Sequence, residues 1–416
     1  MATTLDPVAD MTDIVRTVVT GERAGFHTGE HLEHAARQAK QRNYQDLLII
    51  DADAHHYETE SWVDIVKYIE DPVIRHRATG FGRGGQANTL MVQHPGNQSV
   101  SGRVVRYPRR KLEKHESEVP RDVSLVRREM DAIGIKYQIV FPTPMLELGM
   151  HQETNIEVAL GWAYSRWLTE EILPHEPRMK TMVYLPFNSP DMCMRVIDQF
   201  TGKPGVVGFM VTSPRFRPVH DNVYMPIYRA LEERGMPLGF HAGLGMGMER
   251  AFEGMNRFIS VHALGFTWYN MVHMTNMVIN GIPERFPKLK IIWIESGLAW
   301  IPFLMQRLDN EYMMRTSEAP LLKAKPSEYM ANNFYYTTQP IENGNLEALQ
   351  LTLKMINADK TLLFASDYPH WDFNLPSTIY DLPFLSEQAK RNILGETAAK
   401  VFNIDPRADG VMGAGT

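Results

Sequence analysis

The chain has 416 residues and a formal net charge of −6 at pH 7, a balance that argues against nucleic acid as its main partner. Cys193 is its only cysteine, which excludes an intrachain disulfide bond. No apolar run approaches the ~18 residues that a membrane-spanning helix needs, and no basic and apolar signal sequence opens the chain. We therefore expect a soluble, cytoplasmic enzyme with no membrane partner.

Three segments stand apart from the regular pattern of strands and helices. Residues 1–46 are charged and helical in character, which predicts an N-terminal helical extension. Residues 59–130 are too long for a simple connection and predict a lid-like insertion over a binding site. Residues 405–416 contain several glycines and predict a flexible tail. The insertion belongs to one predicted domain, residues 47–404.

Eight apolar or β-branched runs in this domain are separated by helical patterns. Near-continuous apolar strands that alternate with helices indicate a parallel sheet covered on both faces. Eight such units predict a (β/α)8 TIM-type barrel, whose chemistry takes place at the carboxyl ends of the strands. The predicted strands are Leu47–Asp53, Tyr137–Pro142, Thr181–Phe187, Val206–Thr212, Pro237–His241, Leu289–Glu295, Phe334–Thr338 and Thr361–Asp367.

Potential metal ligands stand at the carboxyl ends of four of these strands. At the first, Asp53 and His55 alternate and would share one face. The fifth ends at His241, the sixth at Glu295 and the eighth at Asp367. Because these strand ends meet at one rim of a barrel, we expect one shared metal site.

Two sequence runs resemble a known family. They are Gly281–Gly297, which reads GIPERFPKLKIIWIESG, and Ala365–His370, which reads ASDYPH. Together with the strand-end acids and histidines, they make the chain similar to the amidohydrolase-related branch of the amidohydrolase superfamily, the group around aminocarboxymuconate semialdehyde decarboxylase. The resemblance extends over residues 47–404 and implies a metal-dependent barrel enzyme.

The resemblance also implies a ligand set of Asp53, His55, His241 and Asp367. In the commonest form of the family the first strand offers His-x-His, so Asp53 replaces a nitrogen ligand with an oxygen ligand. Glu295 stands where the decarboxylases and many hydrolases of this group carry a catalytic histidine. Both changes favour manganese or iron over zinc, and we expect a divalent metal cofactor drawn from these three.

The roles of three further donors stay open. Glu295 either activates metal-bound water as a general base or bridges two metals. His262, near the start of the helix after the fifth strand, is either a proton acceptor or metal ligand, or a histidine of the core. Glu58 follows His55 by three residues and is either a solvated acid of the loop or the residue that completes a metal shell. With these residues the donors exceed what one tetrahedral zinc needs, so one or two metals per chain are expected.

Hydrolysis of a small, carboxylate-bearing substrate by metal-activated water is the first functional prediction, with Glu295 or His262 as the proton acceptor. One alternative is an O2-activating hydroxylase with a dinuclear Mn/Fe or di-iron site, because the carboxylate-rich pattern resembles the subgroup that contains 2-aminoisobutyrate hydroxylase. A non-oxidative decarboxylase is a second alternative. A metal-binding structural partner of an active paralogue is the third. A homo- or hetero-oligomer is expected in each case.

Overall fold

Eight parallel strands form one sheet in which each strand pairs with the next along the chain. Two backbone hydrogen bonds of 2.8 Å, from Ala52 N to Phe364 O and from Asp367 N to Asp53 O, join the first strand to the last and close the ring. A computed structural model describes residues 28–80, 118–215, 217–243, 255, 258–370, 372–407 and 411. The strands are β1 Ile50–His56, β2 Tyr137–Pro142, β3 Met179–Tyr184, β4 Val206–Thr212, β5 Leu238–His241, β6 Ile291–Ile294, β7 Phe334–Thr337 and β8 Leu362–Leu363. The predicted (β/α)8 barrel is confirmed.

Helices connect the strands and cover the outside of the barrel. On the outer face of the sheet, the ring of Phe240 stacks on Trp293 at 4.9 Å between centroids and lies 6.1 Å from the ring of His273 on a covering helix. This buried layer of large side chains between sheet and helices is the main core. The described α-helices of seven or more residues are α1 Thr28–Gln41, α2 Pro72–Gly80, α3 Arg121–Ile133, α4 Thr154–Trp167, α5 Pro190–Phe200, α6 Met225–Glu233, α7 Phe258–Ile279, α8 Trp300–Met314, α9 Pro326–Asn332 and α10 Leu346–Met355.

The first, third and last strands differ most from their predicted bounds, and β3 begins two residues before Thr181 and ends three residues before Phe187. β1 begins three residues after Leu47 and continues to His56, so Asp53 and His55 belong to the strand itself. β8 is only two residues long, because the chain beyond it leaves the ladder with β7 and bonds to β1 instead. The predicted strand bounds were wrong by several residues because they rest on apolar character, which does not show where backbone pairing starts and stops.

Strand register brings the donors of different strands to one level. His55 of β1 is paired with Phe141 of β2, and the rings of Phe141 and His241 meet at 4.8 Å across the barrel interior. His241 of β5 is in turn paired with Ile294 of β6. The carboxyl ends of β1, β5 and β6 therefore open onto the same part of the rim.

The segments outside the regular barrel are described in part. α1 belongs to the predicted helical extension, and the Arg42 guanidinium beyond it donates to both oxygens of Asp381 at 2.9 and 2.6 Å. Of the predicted insertion, residues 81–117 lie outside the described residues, and so does most of the predicted tail. The division into domains stays a prediction. Within the described ranges, no helix is both long and apolar enough to cross a bilayer.

Candidate metal centre

Alternation along β1 brings Asp53 and His55 to the barrel rim, where both are buried. Asp51 lies deeper and has a different role. Its carboxylate accepts hydrogen bonds from the amide and hydroxyl of Ser366, at 2.8 and 2.5 Å, and from Gln138 Nε2 at 3.2 Å. Asp51 therefore ties β1 to the segment after β8 and supports the rim from below.

Four buried side chains from three strand ends form a cluster that we call the rim donor group, namely Asp53, His55, His241 and Glu295. One donor atom from each lies within 4.8 Å of the others. Asp53 Oδ1 is 3.3 Å from His55 Nε2 and 3.2 Å from His241 Nε2. Glu295 Oε2 is 3.6 Å from His241 Nδ1. Two imidazoles and two carboxylates at these distances are a suitable ligand set for a divalent cation.

A second donor group shares His55 and adds Asp367 and His370, again with donor atoms within 4.8 Å of one another. His55 Nε2 is 3.3 Å from Asp367 Oδ1. His370 Nδ1 lies 2.8 Å from the same oxygen and 3.9 Å from Glu295 Oε1, and its ring stacks on His55 at 4.1 Å. His370 was not among the predicted site residues. Its position three residues after Asp367, in a run already identified as diagnostic, was the signal that could have found it.

Glu58 is fully buried but lies outside both donor groups. Its Oε1 accepts a hydrogen bond from Met145 N at 2.7 Å, and its Oε2 accepts one from Thr143 N at 2.9 Å. Burial raises the pKa of Glu58 to about 7, although the charge of His56 and the amide hydrogen bonds lower it in part. The structure therefore places Glu58 as an anchor for the loop after β2, and its role as a metal ligand stays a prediction.

His262 also lies outside the donor groups. It belongs to the first turns of α7, its ring is 4.7 Å from that of Phe266, and its Nε2 is 3.7 Å from Asp372 Oδ2. The side chain of His262 is 16% exposed to solvent, whereas the side chains of the rim donor group are buried. His273, about three helical turns further along α7, is buried and directs its Nε2 to the carbonyl oxygen of Ser213 at 2.8 Å, as expected for a core histidine.

The electrostatics of the rim donor group favour cation binding. Burial by itself would raise the pKa of Asp53, but the charge of His241 and hydrogen bonds from His241 and His55 outweigh it, and the pKa falls to about 2. Burial lowers the pKa of His55, an effect that Asp53 offsets only in part. An ionised carboxylate beside a neutral imidazole is the protonation state that metal ligation requires.

One orphaned atom tests whether a metal fits. Asp53 Oδ2 is buried and has no hydrogen-bond partner among the described residues. A buried carboxylate oxygen without a partner is costly, and a cation held by the rim donor group would supply the missing interaction. The donor set therefore fits a divalent metal, in agreement with the predicted cofactor.

The family follows from comparison with known proteins. The family model described as "Amidohydrolase" matches residues 50–404. The chain belongs to the amidohydrolase family. A relative of this amidohydrolase-family protein, the gamma-resorcylate decarboxylase of Polaromonas sp. strain JS666, is 24% identical to it over 257 residues, which are 58% of this chain and 74% of the relative.

Solved structures of low sequence identity share its fold. The 5-carboxyvanillate decarboxylase of Novosphingobium aromaticivorans, complexed with manganese and 4-hydroxy-3-methoxy-5-nitrobenzoic acid, has a TM-score of 0.63 at 20% identity, over 86% of this chain and 97% of that one. An amidohydrolase from Mycobacterium avium subsp. paratuberculosis has a TM-score of 0.66 at 20% identity, over 86% of this chain and 99% of that one. These similarities confirm the barrel.

The first functional prediction, hydrolysis by metal-activated water, is wrong. Of these three proteins, the two with a named reaction are decarboxylases. The physical reason is that one set of ligands lets a metal polarise either a bound water or the oxygens of a bound acid, so the ligand pattern does not select the reaction. The relatives give no support to the oxygen-activating hydroxylase. Membership of an enzyme family also leaves the structural-partner alternative without support, and the oligomeric state stays a prediction.

Proposed function

We propose that this amidohydrolase-family protein catalyses the metal-dependent, non-oxidative decarboxylation of a small carboxylic acid, with a hydroxylated aromatic acid as the substrate class. The observation that carries the proposal is the buried rim donor group, which lies at the catalytic end of a (β/α)8 barrel and includes an orphaned oxygen of Asp53. The decarboxylases among its relatives support the choice of reaction.

Asp53, His55, His241 and Glu295 are the proposed metal ligands, and Asp367 completes the set from the second donor group. We propose manganese as the metal, since it is the ion in the Novosphingobium structure and since oxygen-rich donor sets suit it. When bound, the ion would supply positive charge that attracts the acid and stabilises the negative charge left on the substrate by departing CO2.

The reaction replaces a carboxyl group with a proton. The bond between the ring carbon and the carboxyl carbon breaks, CO2 leaves, and the electron pair left on the ring carbon takes up a proton. His370 is the proposed proton donor, because it is buried beside the proposed ligands and its Nδ1 lies 2.8 Å from Asp367 Oδ1 and 3.9 Å from Glu295 Oε1. His262, at the rim beside Asp372, is the second candidate.

Glu295 departs from the histidine that the resemblance leads us to expect in a decarboxylase. A carboxylate that binds a metal is ionised, so it cannot also donate the proton. In this chain an imidazole is still close by, because His370 approaches the carboxylate of Glu295 from the segment after β8. His370 would thus perform here the proton transfer that a histidine at the position of Glu295 performs elsewhere, and Glu295 would bind the metal.

The test uses chelator-stripped protein that is reloaded with Mn²⁺, Zn²⁺ or Fe²⁺ and incubated with a panel of hydroxybenzoic acids, with and without oxygen. We expect CO2 and the matching phenol in equal amounts, best with Mn²⁺, at the same rate under both atmospheres. In D2O, one deuterium should enter the ring at the position of the lost carboxyl group. His370→Gln should reduce kcat of the metal-loaded protein by a factor of about 100 or more, whereas Glu233→Gln, on the exposed end of α6, should not.

Two results would refute the proposal. No CO2 from any acid of the panel, with protein shown by elemental analysis to be loaded with metal, would exclude decarboxylation of this substrate class. Product that forms only with oxygen and contains an oxygen atom from O2 would identify a hydroxylase instead.

A further inference from the structure

We propose that Thr337 is a positioning residue that directs the carboxylate of Glu295 into the rim donor group, an inference that rests on the metal-binding role assigned to this group under the proposed function. Thr337 is the last residue of β7 and is buried. Its hydroxyl oxygen accepts a hydrogen bond from Glu295 N at 3.0 Å.

The side chain of Glu295 points in a direction that a regular strand does not give. Ile294 is in register with His241, and its Cδ1 would be 2.7 Å from a Cβ placed on Gly239, two residues before His241. Ile294 and His241 therefore share the inner face of the sheet. Because side chains alternate along a strand, an extended Glu295 would point away from this face.

The backbone of Glu295 explains how its carboxylate nevertheless reaches the interior. Its φ is 54°, in the left-handed region that non-glycine residues seldom occupy. This conformation breaks the alternation and brings Oε2 to 3.6 Å from His241 Nδ1. Asp367, whose φ is 58°, is the other donor with a left-handed backbone, but its amide is held by the backbone oxygen of Asp53 at 2.8 Å.

The amide of Glu295 is thus held by a side chain, whereas the amide of Asp367 is held by a backbone carbonyl. The amide of Glu295 is buried, and the Thr337 hydroxyl is its hydrogen-bond acceptor. The chain just downstream is held separately, because Glu342 Oε2 accepts from Leu298 N at 3.0 Å and from Ala299 N at 3.2 Å. Gly297 permits this close approach, since a Cβ there would lie 2.5 Å from Glu342 Oε1. Loss of the Thr337 hydroxyl should therefore disturb Glu295 and leave the following turn in place.

The test is Mn²⁺ binding to chelator-stripped protein, measured by the electron paramagnetic resonance signal of unbound Mn²⁺. Thr337→Val removes the hydroxyl at nearly constant volume, and Thr337→Ser is the matched control that keeps it. We expect Val to weaken Mn²⁺ binding 10- to 100-fold, the usual effect of losing a group that orients a ligand, and Ser to stay within about threefold of the wild type. Thr337→Ala removes the same hydroxyl without placing a methyl group against the Glu295 amide. It should weaken Mn²⁺ binding by the same factor as Val, and it replaces Val in the test if the Val variant does not fold.

A double-mutant cycle shows whether Thr337 acts through Glu295. Glu295→Ala should weaken Mn²⁺ binding, and adding Thr337→Val to it should have no further effect. Wild-type affinity in both the Val and Ala variants, or an undiminished loss from Thr337→Val in the Glu295→Ala background, would overturn the inference. Binding does not depend on turnover. A chain that shows the expected cycle but releases no CO2 would refute the decarboxylase proposal and leave the role of Thr337 standing.

Discussion

Glu157 should make the stability of the protein depend on pH in a way that a single substitution removes. It lies on α4, is fully buried, and accepts a hydrogen bond from the Tyr184 hydroxyl at 2.7 Å. Burial raises the pKa of its carboxyl from the ordinary value of 4.5 to about 7, and the attraction of Arg215 with hydrogen bonds from Tyr184 and Asn188 offsets only part of that rise.

The sign and size of the effect follow from these two values. Below pH 4.5 the carboxyl is protonated in both states, and the native state has its full stability. Between pH 4.5 and about 7 the unfolded chain loses the proton first, so the native state is progressively destabilised. Above pH 7 the loss is constant. At 1.36 kcal/mol for each pH unit, it amounts to about 3 kcal/mol.

Glu157→Gln cannot ionise, and its side-chain oxygen can still accept the hydrogen bond from Tyr184. Urea unfolding of chelator-stripped protein, followed by tryptophan fluorescence between pH 5.5 and 8, should show this variant gaining stability over the wild type as pH rises. We expect the gain to be about 2 kcal/mol larger at pH 8 than at pH 5.5. Glu233→Gln, at an exposed position of α6, is the control. A difference between Glu157→Gln and the wild type that does not change with pH would refute the reasoning.

Three other changes test the metal centre and the closure of the barrel. His55→Ala should reduce the Mn²⁺ retained through purification to less than about one tenth of the wild-type content, measured by elemental mass spectrometry, because both donor groups lose a ligand; near-complete retention would show that His55 does not bind the ion. Asp51→Ala should destabilise the apoprotein by about 3–5 kcal/mol, since it leaves the buried donors of Ser366 without their acceptor. A thermal midpoint within about one degree of the wild type would contradict that role for Asp51. Gly395→Ala places a Cβ 2.1 Å from Leu48 O and should cost at least about 2 kcal/mol in thermal unfolding. A variant as stable as the wild type would contradict this prediction.

Much of the barrel and part of the rim could be predicted from local pattern. Apolar runs separated by helical patterns identified all eight strands, because a strand buried on both faces must be apolar over its length. Asp53, His55 and His241 were expected together because the strand ends of a barrel share one rim, and the structure places them within 4.8 Å of one another. Proline, glycine and apolar patterns could not give the bounds of β1 and β8, which depend on backbone pairing with distant residues.

Only the tertiary structure decided the direction in which each remaining donor points. Glu58 follows β1 closely in sequence, but two amides of the loop after β2 hold its carboxylate away from the donor groups. His370 enters because the segment after β8 turns back onto His55.

Glu295 directly follows β6 and by strand alternation should face outward. A hydroxyl from β7 together with a left-handed backbone brings it inside. Side-chain periodicity is a local property that the sequence by itself determines. The direction of a loop residue depends on hydrogen bonds from residues that are near in space and far apart in the chain, so it becomes visible only when the barrel closes.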